Sequence, residues 1–467
     1  MRILQPEVGQ SFLVAAGFLA GAVLLFPPLA QAQQPELRQV MDRLDRLETQ
    51  NQELLTEIRA LRQQLSLSQP PSPAATAEAS PPAIAGERAE VQAGERAEVQ
   101  ERRLADLDQS KVQSEHRLPV SLTGTVLFNA FLNGRGSGGA QYPLLAAPGS
   151  QASGGATMRQ TVLGLKFDGP EIAGGGKIRG SIYMDFFSGN TGLSQTLRLR
   201  LANVEAAWKY TTVSLAFDKP IIAPREPDSL AQVGVSPLTA SGNLWLWQPQ
   251  ARVEQRVPFG NHAGLRAQFG VYQTGEGGAG VPAEYSSTLA PARPGYEGRF
   301  ELWSQLGENR RIEIAPGFHQ SSSRVVGQSV PSQIFSLDWL IRPVARIDFT
   351  GAFFQGQNVG VLGALRQSVT IRNGAAIPVQ SLGGWAQVKV RITPRLALDG
   401  FGGEQDDRNR DLNSGGVAKN LSYGANLMYR VGSNVLTGLE ASQVRTTYLG
   451  AGTRINPHYD LAIAYLF

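Results

Sequence analysis

The chain has 467 residues, with 43 Lys and Arg against 39 Asp and Glu, 52 Gly, 28 Pro and no Cys. The missing Cys excludes disulfide scaffolds, thiolate metal sites and Cys nucleophiles, and His116, His262, His319 and His458 are scattered without ligand-like spacing. The one long apolar run, Phe12 to Phe26, is too short to span a bilayer as a helix.

That run is followed by Pro27, Pro28 and the small-residue pattern Ala30-Gln31-Ala32. A short apolar core ending in an A-x-A site reads as a secretory signal peptide over residues 1–32. Its basic n-region is weak, since Arg2 stands against Glu7.

Residues 33–68 read as a coiled coil. Leu37, Leu44, Asn51, Ile58 and Leu65 recur every seven residues, and Val40, Leu47, Leu54 and Leu61 follow the first four by three. Such an a/d seam implies self-association, and Asn51 at an a position would fix register at a cost in stability. Residues 69–116 read as a linker with a short helix. Pro70, Pro71, Pro73, Pro81 and Pro82 lie among Ala and Ser, and AGERAEVQ is duplicated at 85–92 and 93–100. Segments of this composition extend and space modules.

From residue 117 to 467 the period changes to two, and sixteen segments alternate apolar with polar residues. In the third, Ile178, Ile182 and Phe186 oppose Arg179, Ser181 and Asp185; in the sixth, Trp245, Trp247, Ala251 and Val253 oppose Gln250, Arg252, Glu254 and Arg256. The last sets Tyr459, Leu461, Ile463, Tyr465 and Phe467 on one face. The fourth, Leu197–Trp208, fits least well, because Asn203 and Glu205 share the parity of Leu199 and Leu201. A bulge there would restore the alternation.

Alternation alone also suits a soluble sandwich. Three features favour a membrane barrel. Short connections (170–175, 209–212, 258–263, 306–310, 342–345, 393–395, 430–433) alternate with long ones (134–157, 219–243, 274–295, 320–331, 355–383, 404–419). Aromatic residues cluster at segment ends: Trp245, Trp247, Tyr296, Trp339, Tyr423, Tyr429 and Tyr459. The strand number is even, as in single-chain bacterial barrels. The expected fold is therefore all-β: a 16-stranded antiparallel transmembrane barrel preceded by a helical coiled coil. An exported β-protein can span a membrane only as a closed barrel. Together with the export signal and the terminal Phe467, this points to the bacterial outer membrane, with the coiled coil in the periplasm.

The stretches MRQTVLGLKFDGP, KIRGSIYMDFFSGN, LRLRLANVEAAW, SLGGWAQVKVRITPRLALDGFGGEQDD, GLEASQVRTTYLG and HYDLAIAYLF resemble bacterial outer-membrane porins with a periplasmic coiled coil. These are the DcaP-like porins and, more distantly, the phosphate-selective O/P group. The resemblance covers about 117–467 and extends to the coiled coil. It implies a sixteen-stranded barrel assembling as a trimer and passing small anionic solutes. One departure stands after the fifth strand, where Leu215-Ala216-Phe217-Asp218-Lys219-Pro220 replaces an expected Gly-Gln step.

Residues 117–467 carry 32 Lys and Arg against 23 Asp and Glu, a net of +9. By parity Arg179, Arg198, Arg200, Arg252, Arg256, Arg266 and Arg299 point into the lumen from nearly consecutive strands. Guanidinium forks suit carboxylate or phosphate, and a basic wall concentrates anions. The competing expectation is that Asp185, Glu254, Glu297 and Glu301 pair with these arginines and merely solvate the lumen. Loop 219–243 is the candidate constriction: Lys219 and Arg225 lie on it, with Glu226 and Asp228 placed to face the basic wall. Loop 355–383 is a second candidate.

Other chemistry is sparse. Gly174-Gly175-Gly176 marks a hairpin turn, and His319 with Ser321 is the only local Ser/His pair. Glu404, Asp406, Asp407 and Asp411 read as a solvated loop, with bridging of lipopolysaccharide through Ca2+ as the alternative. No cofactor, enzymatic activity or nucleic-acid partner is expected. The expected partners are two further copies of the chain, outer-membrane lipid and lipopolysaccharide, small anionic solutes, and the cell wall through the coiled coil. The competing function is structural: a barrel anchor whose coiled coil tethers the outer membrane to the cell wall.

Overall fold

The computed structural model describes residues 120–467 except 150, 189–194, 275–280, 289, 292–293 and 364–365. The expected signal peptide, coiled coil and linker lie outside the described residues.

Sixteen long strands follow in chain order: β1 Val120–Asn133, β2 Val162–Ile172, β3 Gly176–Ser188, β4 Thr196–Ala207, β5 Thr211–Asp218, β6 Gln248–Pro258, β7 Ala263–Tyr272 and β8 Gly295–Gly307. Then come β9 Arg310–Val325, β10 Gln328–Val344, β11 Ile347–Gln357, β12 Gln380–Arg391, β13 Leu396–Asp407, β14 Val417–Arg430, β15 Val435–Tyr448 and β16 Gly452–Leu466. Each pairs antiparallel with its sequence neighbours, and β1 closes the ring on β16 from Thr125↔Leu466 to Asn133↔His458. The cylinder is a closed 16-stranded antiparallel barrel. Closure matters because an open edge leaves a row of unpaired N–H and C=O groups.

Its two faces are inverted relative to a water-soluble protein. Leu398, Leu427, Leu439 and Leu461 lie in one register row across β13–β16, and all four are exposed on the outside. Asp185, Asp338, Asp399, Gln405, Asn420 and Asn456 are buried on the inside. Apolar-out, polar-in alternation is the pattern of a barrel in lipid.

Most connections follow the expected alternation, with one difference. Strands β9 and β10 run on to Val325 and Gln328 and join through Val326-Gly327, both at positive φ. This is the geometry of a two-residue primed hairpin turn. The polar stretch 320–331, read as a long loop, is thus strand, because its Ser residues face each other across a projecting hairpin rather than a lipid face. The strand that fitted least well, β4, carries the bulge that restores its alternation. The register between β3 and β4 slips by one between Tyr183↔Leu201 and Met184↔Leu199, which leaves Arg200 as an extra residue. A bulge changes the facing of everything beyond it. Arg198 pairs opposite Asp185 on the inside, and past the bulge Asn203 and Glu205 share the inward side with Ser181 and Arg179.

Candidate functional site

Strand β5 ends at Asp218, and Lys219-Pro220 turns the chain into the barrel rather than out over its rim. The departure at 215–220 is the point where this happens. Proline supplies no N–H to a ladder, and the Lys219 carbonyl is taken instead by the Gln250 side chain at 2.9 Å.

The loop 219–247 then crosses the lumen, tied at each step to inward side chains of successive strands. The Ile221 and Ile222 amides donate to Glu297 on β8. Arg225 reaches Asp338 on β10, Glu313 on β9 and Glu301 on β8. Asp228 meets Lys389 on β12 at 2.8 Å, and Ser229 donates to Glu440 on β15 at 2.6 Å. The Leu230 carbonyl accepts from Asn129 on β1. Gln160 donates to the Ala231 carbonyl and accepts from the Val233 and Gly234 amides. The Val233 and Gly234 carbonyls then accept from Arg200 and Arg198. At the far end Ser241 meets Ser422 and Asn420 on β14. Here Gly242 has φ +96°, and a Cβ would sit 2.2 Å from the Gly384 carbonyl oxygen. Only glycine lets the loop lie this close to the wall.

Two other loops fold inward. Tyr142 of the first, 134–152, bonds Gln160 and Asp460; burial, with the Asp460 carboxylate beside it, pushes its phenol well above the ordinary range, so it stays a donor. In loop 358–379, Val359, Val361 and Leu362 join Ile222, Ala223, Leu244, Tyr272, Ile334 and Phe354 in a buried apolar cluster. The second candidate constriction is therefore packed against the first, through contacts that a Gly-rich apolar sequence did not disclose.

The guanidiniums cluster with carboxylates in three groups along the wall. Arg198 and Arg200 share Asp185. Arg225, Arg256, Arg266, Arg299 and Arg311 share Glu254, Glu301, Glu313 and Asp338. Arg342 and Arg391 share Asp348. In each group the cations exceed the carboxylates by one. They are mostly the more exposed partners: Arg256 is 58% exposed against 15% for Glu254, Arg266 28% against 3% for Glu301, and Arg198 25% against 0% for Asp185. The opposite wall is acidic. Asp228 and Asp399 share Lys389, while Glu440 and Asp460 have the neutral partners Ser229, Asn426, Asn129 and Tyr142.

Against this geometry stand the comparisons with known proteins. No family model and no curated protein matches the sequence. Among solved structures, the outer membrane channel DcaP of Acinetobacter baumannii superposes with a TM-score of 0.63 over 75% of this chain and 97% of its own, at 15% identity. The anion-selective porin from Comamonas acidovorans does so with a TM-score of 0.50 over 75% and 100%, at 14% identity. The barrel has the fold of a DcaP-like outer-membrane porin.

Within this porin fold the expected site residues separate. Arg198, Arg200, Arg252 and Arg266 are partly exposed on the inner wall, Arg252 paired with Asp218. Arg179 and Arg256 lie near the short-turn end, Arg179 paired with Asp168 on the adjacent strand. Arg299 is fully buried between Glu301 and Asp338, so it supports the wall and is closed to a passing solute. The ladder is thus one of paired guanidiniums. Glu226 binds Lys219 of its own loop and lies within electrostatic reach of Arg200 on the wall, whereas Asp228 binds Lys389 on the other side. Arg225 is the loop residue that reaches across, toward acids.

Trp245 and Trp247 precede β6 and belong to the inward loop, not to a membrane girdle. They pack edge to face at 4.8 Å, and the Arg198 and Arg200 guanidiniums each lie 4.9 Å from the Trp247 ring. Two tryptophans spaced by two mimic a strand, and only the departure of the chain into the lumen separates the readings.

His319 and Ser321 do meet, at 2.8 Å, with Tyr272 and Glu297 at the other ring nitrogen. Glu297 spends its second oxygen on the Ile221 amide at 2.6 Å. The set is buried and buttresses the root of the loop. The acidic cluster is split by strand alternation. Glu404 and Asp406 face outward, while Asp407 faces inward onto Arg366. Among the described residues no three His, Asp or Glu are placed to hold a metal ion.

Proposed function

We propose that this protein is an outer-membrane porin that lets small hydrophilic solutes, preferentially anions, diffuse through its lumen, and that it assembles as a trimer with the coiled coil in the periplasm. What carries the reading is the surplus guanidinium in each of the three wall groups, set nearer to water than the carboxylate it shares. The buried acids of the opposite wall, Asp399, Glu440 and Asp460, lie beside the inward loops 134–152 and 219–247. A solute therefore meets the cations first, and a cationic lining raises the local anion concentration. The porin fold and the anion selectivity named for the Comamonas protein support the same reading.

The test is a planar bilayer under a KCl gradient. Stepwise openings with a reversal potential favouring chloride are the expected result. A reversal potential favouring potassium would remove the anion preference and keep the porin. Silence from folded, trimeric protein would leave the barrel as an anchor for a coiled-coil tether.

A further inference from the structure

One register row of the inner wall carries more acid than its neighbours balance. Lys389 on β12, Asp399 on β13, Asn426 on β14, Glu440 on β15 and Asp460 on β16 stand side by side, each opposite the next. Asp399, Asn426, Glu440 and Asp460 are all buried. Lys389 is the one cation of the row, and it lies closer to Asp228 of the inward loop, at 2.8 Å, than to Asp399, at 3.8 Å. Carboxylates taken out of water without a countercharge are strongly unfavourable.

The oxygens of this row are also short of donors. Neither oxygen of Asp399 has a hydrogen-bond partner, nor does Oδ1 of Asn426, although Asp399 is fully buried and Asn426 only 3% exposed. The Asn426 amide is oriented by its nitrogen, which donates to the Asp228 carbonyl at 2.9 Å and to Glu440 at 3.4 Å. Its oxygen is therefore the end left without a donor. Both hydrogen bonds of Glu440 fall on Oε2, from Ser229 and Asn426, which leaves Oε1. Three adjacent strands ~4.8 Å apart thus bring hard oxygen to one place: two carboxylates and an amide, not a triad of ionisable ligands.

We propose that Asp399, Asn426 and Glu440 form a Ca2+ site beneath the inward loop, and that its occupancy makes the pore more anion-selective. An all-oxygen set with mixed charge and adaptable geometry suits Ca2+, whereas Mg2+ demands a tighter octahedron. The ion supplies the missing countercharge. It also braces the loop, because Asn426 and Glu440 hold the Asp228 carbonyl and the Ser229 hydroxyl. With the acidic wall neutralised, the guanidiniums of the other wall govern the field in the lumen. That consequence rests on the porin reading; the binding site itself does not.

The experiment follows heat-induced unfolding of refolded full-length protein in detergent, titrated with Ca2+ or Mg2+ after EDTA. The reversal potential under a KCl gradient is then read in a neutral-lipid bilayer, with and without Ca2+. Wild type is expected to gain stability with a midpoint of about 10⁻⁴–10⁻³ M Ca2+, the range of extracellular Ca2+ modules, and to respond far less to Mg2+. Asp399→Asn and Glu440→Gln keep side-chain size; each should raise that midpoint at least ~tenfold. In EDTA both should be as stable as wild type or more so, since each removes an uncompensated buried charge. That comparison separates loss of the ion from loss of folding. Glu404→Gln/Asp406→Asn, on the outer face, should leave the Ca2+ response intact. Ca2+ should move the wild-type reversal potential further toward chloride and leave that of Asp399→Asn where it was. An equal response to Mg2+, a response that follows the outer acids, variants destabilised in EDTA, or no response at all would overturn the site. A barrel that conducts normally but ignores Ca2+ sinks this site alone, and one that Ca2+ stabilises but that never conducts sinks the porin reading alone.

Discussion

Arg225 donates to Asp338 across 113 residues of sequence, at 2.7 Å, and so fixes the first part of the inward loop to β10. Glu313 and Glu301 hold the same guanidinium from the two strands before. Its side chain is largely buried, so Arg225→Ala would leave carboxylates short of a partner in a dry setting. We expect a loss of about 3 kcal/mol, read as a lower temperature of heat-induced unfolding on gels, and noisier single-channel current as the loop loosens. A quiet, equally stable variant would show that the loop is held elsewhere.

Asp185 and its two arginines make a paired test of selectivity. Asp185→Asn removes the one carboxylate that Arg198 and Arg200 share, leaving them the Gly234 and Val233 carbonyls. The reversal potential should move toward chloride. Arg198→Ala should move it the other way. Shifts of the same sign in both variants would mean that the charge of this group does not govern permeation.

Glu226 gives a pH dependence. Burial raises its carboxyl, but the Lys219 ammonium and the Ser236 hydroxyl outweigh it, so the group is held below its ordinary value. A depressed folded value contributes stability that is complete above the unfolded value of ~4.3 and is lost as pH falls through the lower, folded one. The part of the conductance–pH profile that belongs to Glu226 should therefore be constant above about pH 5 and appear only in more acidic solution. Glu226→Gln should abolish whatever part of that acid limb belongs to this group; an unaltered limb would assign it to another carboxylate.

Gly242 tests how closely the loop must approach. With φ +96° and a Cβ position 2.2 Å from the Gly384 carbonyl, Gly242→Ala is both strained and obstructed. A cost of about 2 kcal/mol or more is expected, together with altered conductance. Leu238 and Ala240 share the positive-φ backbone just before it. A neutral effect would mean that the loop end relaxes freely off β12 and β13.

Strand number, facing and the apolar exterior were legible in the sequence, because the pleat has a period of two and each residue reports its own side locally. Tyr459 to Tyr465 in β16 declare their lipid face without reference to any partner. Arg198 and Arg266 were legible as inward for the same reason. Local reading failed where the chain left the ladder, at Trp245 and Trp247 and at the Val326-Gly327 hairpin; the broken alternation of the fourth strand announced a bulge, but not its place at Arg200. Each of these is decided by the neighbouring strand or by the lumen.

Pairing was the larger thing the sequence could not hold. Asn129 meets Asp460 across 331 residues only because β1 closes on β16. Likewise Arg299 becomes a buried strut, and Arg198 a partly exposed one, only because the inward loop covers the first and skirts the second. Alternation is a property of a single strand. Which guanidinium faces water is a property of the closed ring and of the loop folded inside it, and only the tertiary structure decides it.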